Sequence, residues 1–292
     1  MIGGLEVAFR CDAQLGETPV WSPEDEILYW IDIEGRAVNA YSPTGGVKSG
    51  FEVPELIGCI GLAPTGFVLA IGGDIVRSGP DGTPMEMTHT QVFEDERVRF
   101  NDGRVDRYGR LYVGTMDLRE RDPLGGMYLI NSDGTSEMVL DSLVVSNGLD
   151  FSLDGTHLFH IDSSTQGVDV YKIDAESGRL SHRSRLFEVP KRFGEPDGLV
   201  IDAENCLWMA MWGGGKVVRF DLSGKVLEQV DMPVSQPTGI TFGGEELDQL
   251  YICSARAGLN PVELHAQPLS GSLFCLDAGV VGIASNRFGV SR

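Results

Sequence analysis

A short apolar run recurs six times along this chain, beginning at residues 28, 68, 111, 158, 207 and 250. The runs span residues 28–32, 68–72, 111–115, 158–162, 207–211 and 250–254. Intervals of 40 to 49 residues match one four-stranded blade of a β-propeller, because a blade cannot bury its two faces until neighbouring blades stack on it. The period therefore predicts an all-β, six-bladed propeller with antiparallel blades around a central channel.

The rest of the chain is consistent with one closed domain over residues 1–292. The sequence contains 38 glycines, and Asp-Gly turn signals at 81–82, 133–134 and 154–155 separate short runs that favour strands. No proline- or serine-rich linker interrupts the repeats. We expect residues 5–10 to add an outer strand to the blade that contains residues 272–276, which would close the ring and remove an exposed edge.

The formal net charge of −20 argues against binding to nucleic acid or to an anionic membrane, since phosphate recognition needs a basic surface. The N-terminal residues lack a basic segment followed by an apolar one, and no apolar run is long enough to span a membrane. These features predict a cytoplasmic location. The five cysteines are odd in number and lack CxxC spacing, so we expect neither a disulfide framework nor a zinc knuckle.

A second pattern precedes the apolar runs and aligns one residue of each blade at the mouth of the channel. The predicted ring consists of Glu17, a small apolar residue near Cys59 or Ile60, Asn101, Asn147, Asp197 and Thr238. Carboxylates and carboxamides that converge in a narrow channel are costly to leave without partners. We expect one divalent cation held by Glu17, Asn147 and Asp197. Oxygen ligands favour Ca²⁺, Mg²⁺ or Mn²⁺, and because carboxylates also bind Zn²⁺, that ion stays a candidate.

Six segments, in this order, resemble motifs of the senescence marker protein / gluconolactonase / luciferin-regenerating enzyme family. They are LGETPVW (15–21), RFNDG (99–103), GTM (114–116), SNGL (146–149), PDGL (196–199) and SAR (254–256). Members of this family are six-bladed propellers with one divalent metal in the channel, and most characterised members hydrolyse lactones, commonly sugar lactones. The resemblance spans nearly the whole chain. It thus implies the same fold, metal and activity here.

The resemblance also implies roles for individual residues. Glu17, Asn147 and Asp197 match the metal ligands, and Asp197 also matches the catalytic acid/base. Arg99 and Asn101 match contacts to the substrate. An acidic substrate contact of the family corresponds to Glu120, although an ungapped count places Arg119 there.

The residue types themselves support hydrolysis of a small polar lactone. A cation can polarise the lactone carbonyl, and Asp197 can move a proton from water to the ring oxygen. The chain has no Gly-x-Ser-x-Gly elbow, so a serine hydrolase has little support. Two alternatives stay open: hydrolysis of organophosphates or hydrophobic lactones at the same site, and a binding propeller without catalysis. The sequence leaves the oligomeric state open.

Overall fold

The protein is described by a computed structural model that covers residues 3–89, 92–93 and 95–291. Six four-stranded antiparallel sheets surround a central channel, so the predicted six-bladed propeller is confirmed. The first strand along the chain, β1 (Glu6–Phe9), belongs to the last blade. No helix in the described part of the chain has the length and apolar character needed to cross a membrane.

The first three blades follow the chain, each from its innermost to its outermost strand. Blade 1 contains β2 (Gly16–Ser22), β3 (Ile27–Asp32), β4 (Ala37–Ser42) and β5 (Gly46–Glu52). Blade 2 contains β6 (Ile57–Leu62), β7 (Phe67–Ile71), β8 (Asp74–Ser78) and β9 (Pro84–His89). Blade 3 contains β10 (Val98–Val105), β11 (Leu111–Asp117), β12 (Gly125–Ile130) and β13 (Ser136–Leu143).

The remaining blades follow the same order until the ring closes. Blade 4 contains β14 (Ser146–Phe151), β15 (His157–Asp162), β16 (Gly167–Ile173) and β17 (Leu180–Glu188). Blade 5 contains β18 (Glu195–Ile201), β19 (Leu207–Trp212), β20 (Lys216–Phe220) and β21 (Val226–Asp231). Blade 6 contains β22 (Pro237–Gly243), β23 (Gln249–Ser254), β24 (Leu273–Asp277) and β1. One short helix, α1 (Pro261–Ala266), and 3-10 turns at Ser163–Thr165 and Lys191–Phe193 lie in the connections.

The ring closes between the two ends of the chain, as the sequence predicts. Strand β1 pairs antiparallel with β24, and Glu6 lies opposite Cys275 while Val7 lies opposite Phe274. The hydrogen bonds of β1 cover the edge that β24 would otherwise expose. All five cysteines are free, in agreement with the expectation that they form no disulfide framework.

The recurring apolar runs form the second strand of each blade, and these strands contribute a large share of the buried apolar residues. Trp30 on β3 and Trp208 on β19 are at most 1 % exposed, and Tyr112 on β11 is fully buried. A strand between two others in its blade, with blades stacked on both faces, has little contact with solvent except at its ends, so most side chains along it are apolar and buried. Burial of one large apolar side chain contributes about 2–3 kcal/mol, and the six runs repeat this contribution around the ring.

Each innermost strand has a register irregularity close to the place where it pairs with the end of the second strand. In blade 4, Ser146 pairs with Asp162, and pairing resumes at Leu149. The bulge brings neighbouring inner strands so close that a Cβ atom at Gly148 would lie 2.3 Å from the carbonyl oxygen of Asp197. Bulges re-aim side chains, and here they turn the residue that precedes the glycine toward the channel.

The register corrects one sequence expectation. Ile57 pairs with Ile71, the last residue of β7, so the ring position of blade 2 is Gly58 rather than Cys59 or Ile60. A Cβ atom at Gly58 would lie 2.4 Å from the backbone of Phe100 in blade 3. Blade 2 therefore has no side chain at the ring, because the neighbouring inner strand occupies its place.

The segment after β24 runs across the opposite end of the propeller. Gly282 forms a bridge with Asp202 of blade 5, and Arg287 forms one with Leu62 of blade 2. Phe288 is 1 % exposed among residues of blades 2 and 3. This segment closes the end of the channel that lies away from the ring of polar residues.

Candidate functional site

The open end of the channel is a cavity of about 610 Å³ that contains every residue predicted for the site. Its lining includes Glu17, Arg99, Asn101, Glu120, Asn147 and Asp197. Five of these residues come from the inner strands β2, β10, β14 and β18 of blades 1, 3, 4 and 5, and Glu120 comes from the turn that follows β11. Sequence period and strand register together therefore place them at one mouth of the channel.

The deepest part of the cavity is formed by three inner strands. Glu17 on β2, Asn147 on β14 and Asp197 on β18 are 5 %, 7 % and 4 % exposed. Each follows the residue that pairs with the last residue of the recurring apolar run in its blade, so the three occupy equivalent positions. Thr238 holds the same position in blade 6, but its hydroxyl donates to the carbonyl oxygen of Gly16 and does not line the cavity.

The two carboxyl groups at this depth, those of Glu17 and Asp197, are costly to ionise, as their raised pKa values show. Burial, followed by the charges of Asp197 and Asp102, raises the pKa of Glu17 well above its usual value. Burial, followed by the charge of Asp102, raises the pKa of Asp197 to about 7. The charge of Arg99 opposes both shifts, but burial lowers the pKa of Arg99 itself. The site therefore favours an additional positive charge.

Two buried oxygen atoms at the centre of the site have no partner. They are Asn147 Oδ1 and Asp197 Oδ1, which make no hydrogen bond within the described residues. Unsatisfied buried oxygens are uncommon and costly. A divalent cation would satisfy both, and the oxygen donors of Glu17, Asn147 and Asp197 suit a hard ion. The residues present thus fit the metal that the sequence predicts.

Asn101 occupies the ring position of blade 3, but its amide is already used. Its Oδ1 accepts from Arg99 Nη1 at 2.7 Å, and its Nδ2 donates to the carbonyl oxygen of Ser146 at 2.8 Å. Arg99 Nη1 also donates to the carbonyl oxygen of Phe100 at 2.9 Å. Asn101 and Arg99 therefore form one rigid polar unit beside the deeper oxygens.

The structure places Glu120 rather than Arg119 against the cavity. Glu120 has a φ of 55°, and its N–H donates to the carbonyl oxygen of Asp117 at 2.9 Å. Asp117 Oδ2 in turn accepts from the N–H groups of Arg121 and Asp122, each at 3.0 Å. This turn brings the side chain of Glu120 to the rim, which an ungapped residue count cannot reveal.

Other residues of the cavity carry no signal in the repeat. Ser163, Gln166, Lys191, Glu195 and Trp212 line it from the connections and strand ends of blades 4 and 5. The segment 257–267, which length and composition favour as a lid, contains α1 and lines no part of this cavity. Polar loops between strands look alike in sequence, so only the structure reveals which of them line the cavity.

A smaller cavity of about 170 Å³ lies at the closed end of the channel. It is lined by Asp102, by the ion pair of Arg104 with Asp150 at 3.1 Å, and by residues 283–286. Glu17 borders both cavities. Glu17 therefore lies between the larger cavity at the open end of the channel and the smaller cavity at its other end.

Comparison with known proteins shows relatives along almost the full chain. A 6-deoxy-6-sulfogluconolactonase of Pseudomonas putida is 36 % identical over 97 % of this chain and 98 % of its own length. Regucalcin of Xenopus laevis is 34 % identical over 94 % of this chain and 95 % of its own. The structure of a luciferin-regenerating enzyme superposes with a TM-score of 0.88 at 28 % identity, covering 99 % of this chain and 100 % of that one.

A family model described as SMP-30/Gluconolactonase/LRE-like region matches residues 15–256. The match begins two residues before Glu17 and ends in the loop after β23, so it contains every residue of the candidate site. The resemblance inferred from the six sequence motifs is thereby confirmed. This chain belongs to the SMP-30/gluconolactonase/LRE-like family.

Proposed function

We propose that this protein is a metal-dependent hydrolase that opens the ring of a small polar lactone, namely a sugar lactone. The observation that carries the proposal is the pair of unpartnered buried oxygens, Asn147 Oδ1 and Asp197 Oδ1, beside Glu17 at the base of an open polar cavity. The name of the Pseudomonas putida relative, a sulfogluconolactonase, supports the choice of a lactone.

Glu17, Asn147 and Asp197 would hold the cation. When bound, it would polarise the lactone carbonyl and stabilise the negative charge that develops on its oxygen. We favour Ca²⁺ because the ligands are oxygen atoms, and Mg²⁺, Mn²⁺ and Zn²⁺ are the ions to compare with it. The regucalcin relatives bear a name associated with calcium, which supports the same choice.

Asp197 is the proposed acid/base. It accepts a proton from the attacking water as the water oxygen bonds to the carbonyl carbon, and returns the proton to the ring oxygen as the carbon–oxygen bond of the ring breaks. The product is an open-chain hydroxy acid, and no covalent intermediate with the protein forms.

Arg99, Asn101 and Glu120 are the proposed substrate contacts. The bond of Arg99 Nη1 to Asn101 Oδ1 at 2.7 Å holds the guanidinium beside the deeper site, and its other N–H groups can donate to substrate oxygens. Glu120 on the rim can accept from substrate hydroxyls. These residues give a polyhydroxylated lactone donors and acceptors on two sides.

Proton release on addition of glucono-1,5-lactone tests the proposal, with and without a chelator and with each of the four cations restored. We expect metal-dependent release, and a loss of at least about 100-fold in kcat for Asp197→Asn. Asp231→Asn, on the exposed outer strand of the same blade, is the matched control. Background rates across a panel of lactones would reject the proposal, and turnover of an aryl phosphate ester instead would favour the organophosphate alternative.

A further inference from the structure

Ser163 lies between two of the proposed metal ligands, although no sequence motif singles it out. Its Oγ accepts a hydrogen bond from Asn147 Nδ2 at 3.2 Å and donates one to the carbonyl oxygen of Pro196 at 2.8 Å. Asn147 is on β14 of blade 4, whereas Pro196 is on β18 of blade 5 and directly precedes Asp197. One hydroxyl therefore joins the side chain of one ligand to the backbone beside the other.

The number of protons fixes the orientation of the Asn147 amide. A serine hydroxyl has one proton, and the carbonyl oxygen of Pro196 can only accept, so Ser163 must donate its proton there. The Oγ atom then offers only lone pairs to Asn147, and only the NH₂ group of the amide can meet them. Asn147 Oδ1 is thereby held on the other side, where it is buried and unpartnered.

The position of Ser163 is itself fixed from both blades. Its N–H donates to the carbonyl oxygen of Val145 at 3.0 Å, and Asp162 caps the 3-10 turn that begins with Ser163. The turn ends at Gln166, which has a φ of 55° and whose Nε2 donates to the carbonyl oxygen of Gly194 in blade 5 at 2.7 Å. The hydroxyl is thus attached to a short turn that spans the junction of two blades.

We propose that Ser163 is a positioning residue for the divalent cation, acting through Asn147 and through the strand that carries Asp197. The inference rests on the metal site of the proposed function. Without the hydroxyl, the amide of Asn147 can rotate and present its NH₂ group, which has no lone pair for a cation. Residues that orient metal ligands in this way typically change affinity by 10- to 100-fold.

Calcium titration of the chelator-treated protein by calorimetry tests this role without relying on activity. We expect Ser163→Ala to weaken Ca²⁺ binding by about 10- to 100-fold, and Ser163→Thr, which keeps the hydroxyl, to stay within about threefold of the wild type. Ser164→Ala is the matched control, because that hydroxyl lies in the same turn but donates to Asp162 and contacts neither ligand. We expect its affinity to stay within about threefold as well.

The outcomes separate the inference from the proposed function. Wild-type protein that binds none of Ca²⁺, Mg²⁺, Mn²⁺ and Zn²⁺ would overturn the metal site and the inference together. Wild-type binding with equal affinity in a folded Ser163→Ala variant would overturn the inference alone. If Ser163→Ala fails to fold, Ser163→Cys replaces it, since a thiol is a weak donor of similar size. A Ca²⁺ affinity of Ser163→Cys equal to that of Ser163→Thr would then reject the proposed role of Ser163.

Discussion

Removal of the charge of Asp197 should stabilise the metal-free protein while abolishing its proposed function. Asp197 is 4 % exposed, and burial is the main reason that its pKa rises from 3.8 to about 7. A rise of this size corresponds to about 4 kcal/mol of unfavourable free energy for the ionised form. Since the surroundings relax around a charge, we expect Asp197→Asn to gain about 2–4 kcal/mol at pH 8, or about 4–8 °C in Tm.

The gain should depend on pH in a defined direction. Between pH 3.8 and about 7 the unfolded chain has lost the proton of Asp197 while the folded protein keeps it, so the wild type loses stability as the pH rises through this window. Below it, the carboxyl is neutral in both states. The difference between Asp197→Asn and the wild type should therefore be small near pH 4.5 and complete at about pH 8.

Differential scanning calorimetry in the presence of a chelator, at both pH values, measures the effect. Asp169→Asn is the control, because Asp169 is equally buried but paired with Arg183 and Arg185, each at 2.7 Å, so this change should lower the Tm. Addition of Ca²⁺ should raise the wild type by about 2.7 kcal/mol at 100 times the Kd and by about 4.1 kcal/mol at 1,000 times the Kd. At the higher concentration this rise should offset the gain of Asp197→Asn, whose own stability Ca²⁺ should leave unchanged. A variant no more stable than the wild type at pH 8 would refute the reasoning.

Three further predictions concern the site and the ring. Calcium affinity should fall as the pH drops below about 7, because the pKa values of Glu17 and Asp197 are raised and protons then compete with the ion. Calorimetry in two buffers should show that protons are released when Ca²⁺ binds. Gly58→Ala should lower the free energy of unfolding by about 1–3 kcal/mol or prevent folding. The control Gly4→Ala should leave the Tm within about 2 °C, because its Cβ atom would have open space. Equal effects of the two changes would contradict the close approach of blades 2 and 3. Deletion of residues 1–10 should expose the edge of β24 and produce aggregation on heating, measured by light scattering, and an unchanged aggregation temperature would contradict closure by β1.

The sequence period was sufficient to predict the architecture, because every blade repeats the same apolar second strand. It also predicted the closure by β1, because the last blade would otherwise have an unpaired edge and the N-terminal segment is a strand that can pair with it. The alignment of Glu17, Asn147 and Asp197 on the ring followed from the same repeat. These predictions depend on strand order and on alternation along strands, which a sequence encodes directly.

The finer features depend on local backbone geometry, which the repeat does not encode. Gly58 was missed because the interval between ring residue and apolar run varies from 10 to 12 residues in the other blades, so the count does not single out one residue, and the expectation of Cys59 or Ile60 fell one or two residues too late. The exposure of Glu120 to the cavity depends on a left-handed turn residue. Ser163 lies on a turn whose approach to Pro196 is a tertiary contact between two blades.

Closure by β1 also sets an order of events during synthesis. Strand β1 is made before β2 to β24, yet its partner β24 begins at Leu273, so the two strands cannot pair until synthesis has passed through all the intervening blades. At about 5–20 residues per second this interval lasts on the order of tens of seconds. During it the nascent chain carries one strand without a partner and a stack of blades without a closed ring. The ring therefore cannot close before β24 has been made, and a circular permutant that begins at β2 and places β1 directly after β24 would remove this wait for β1.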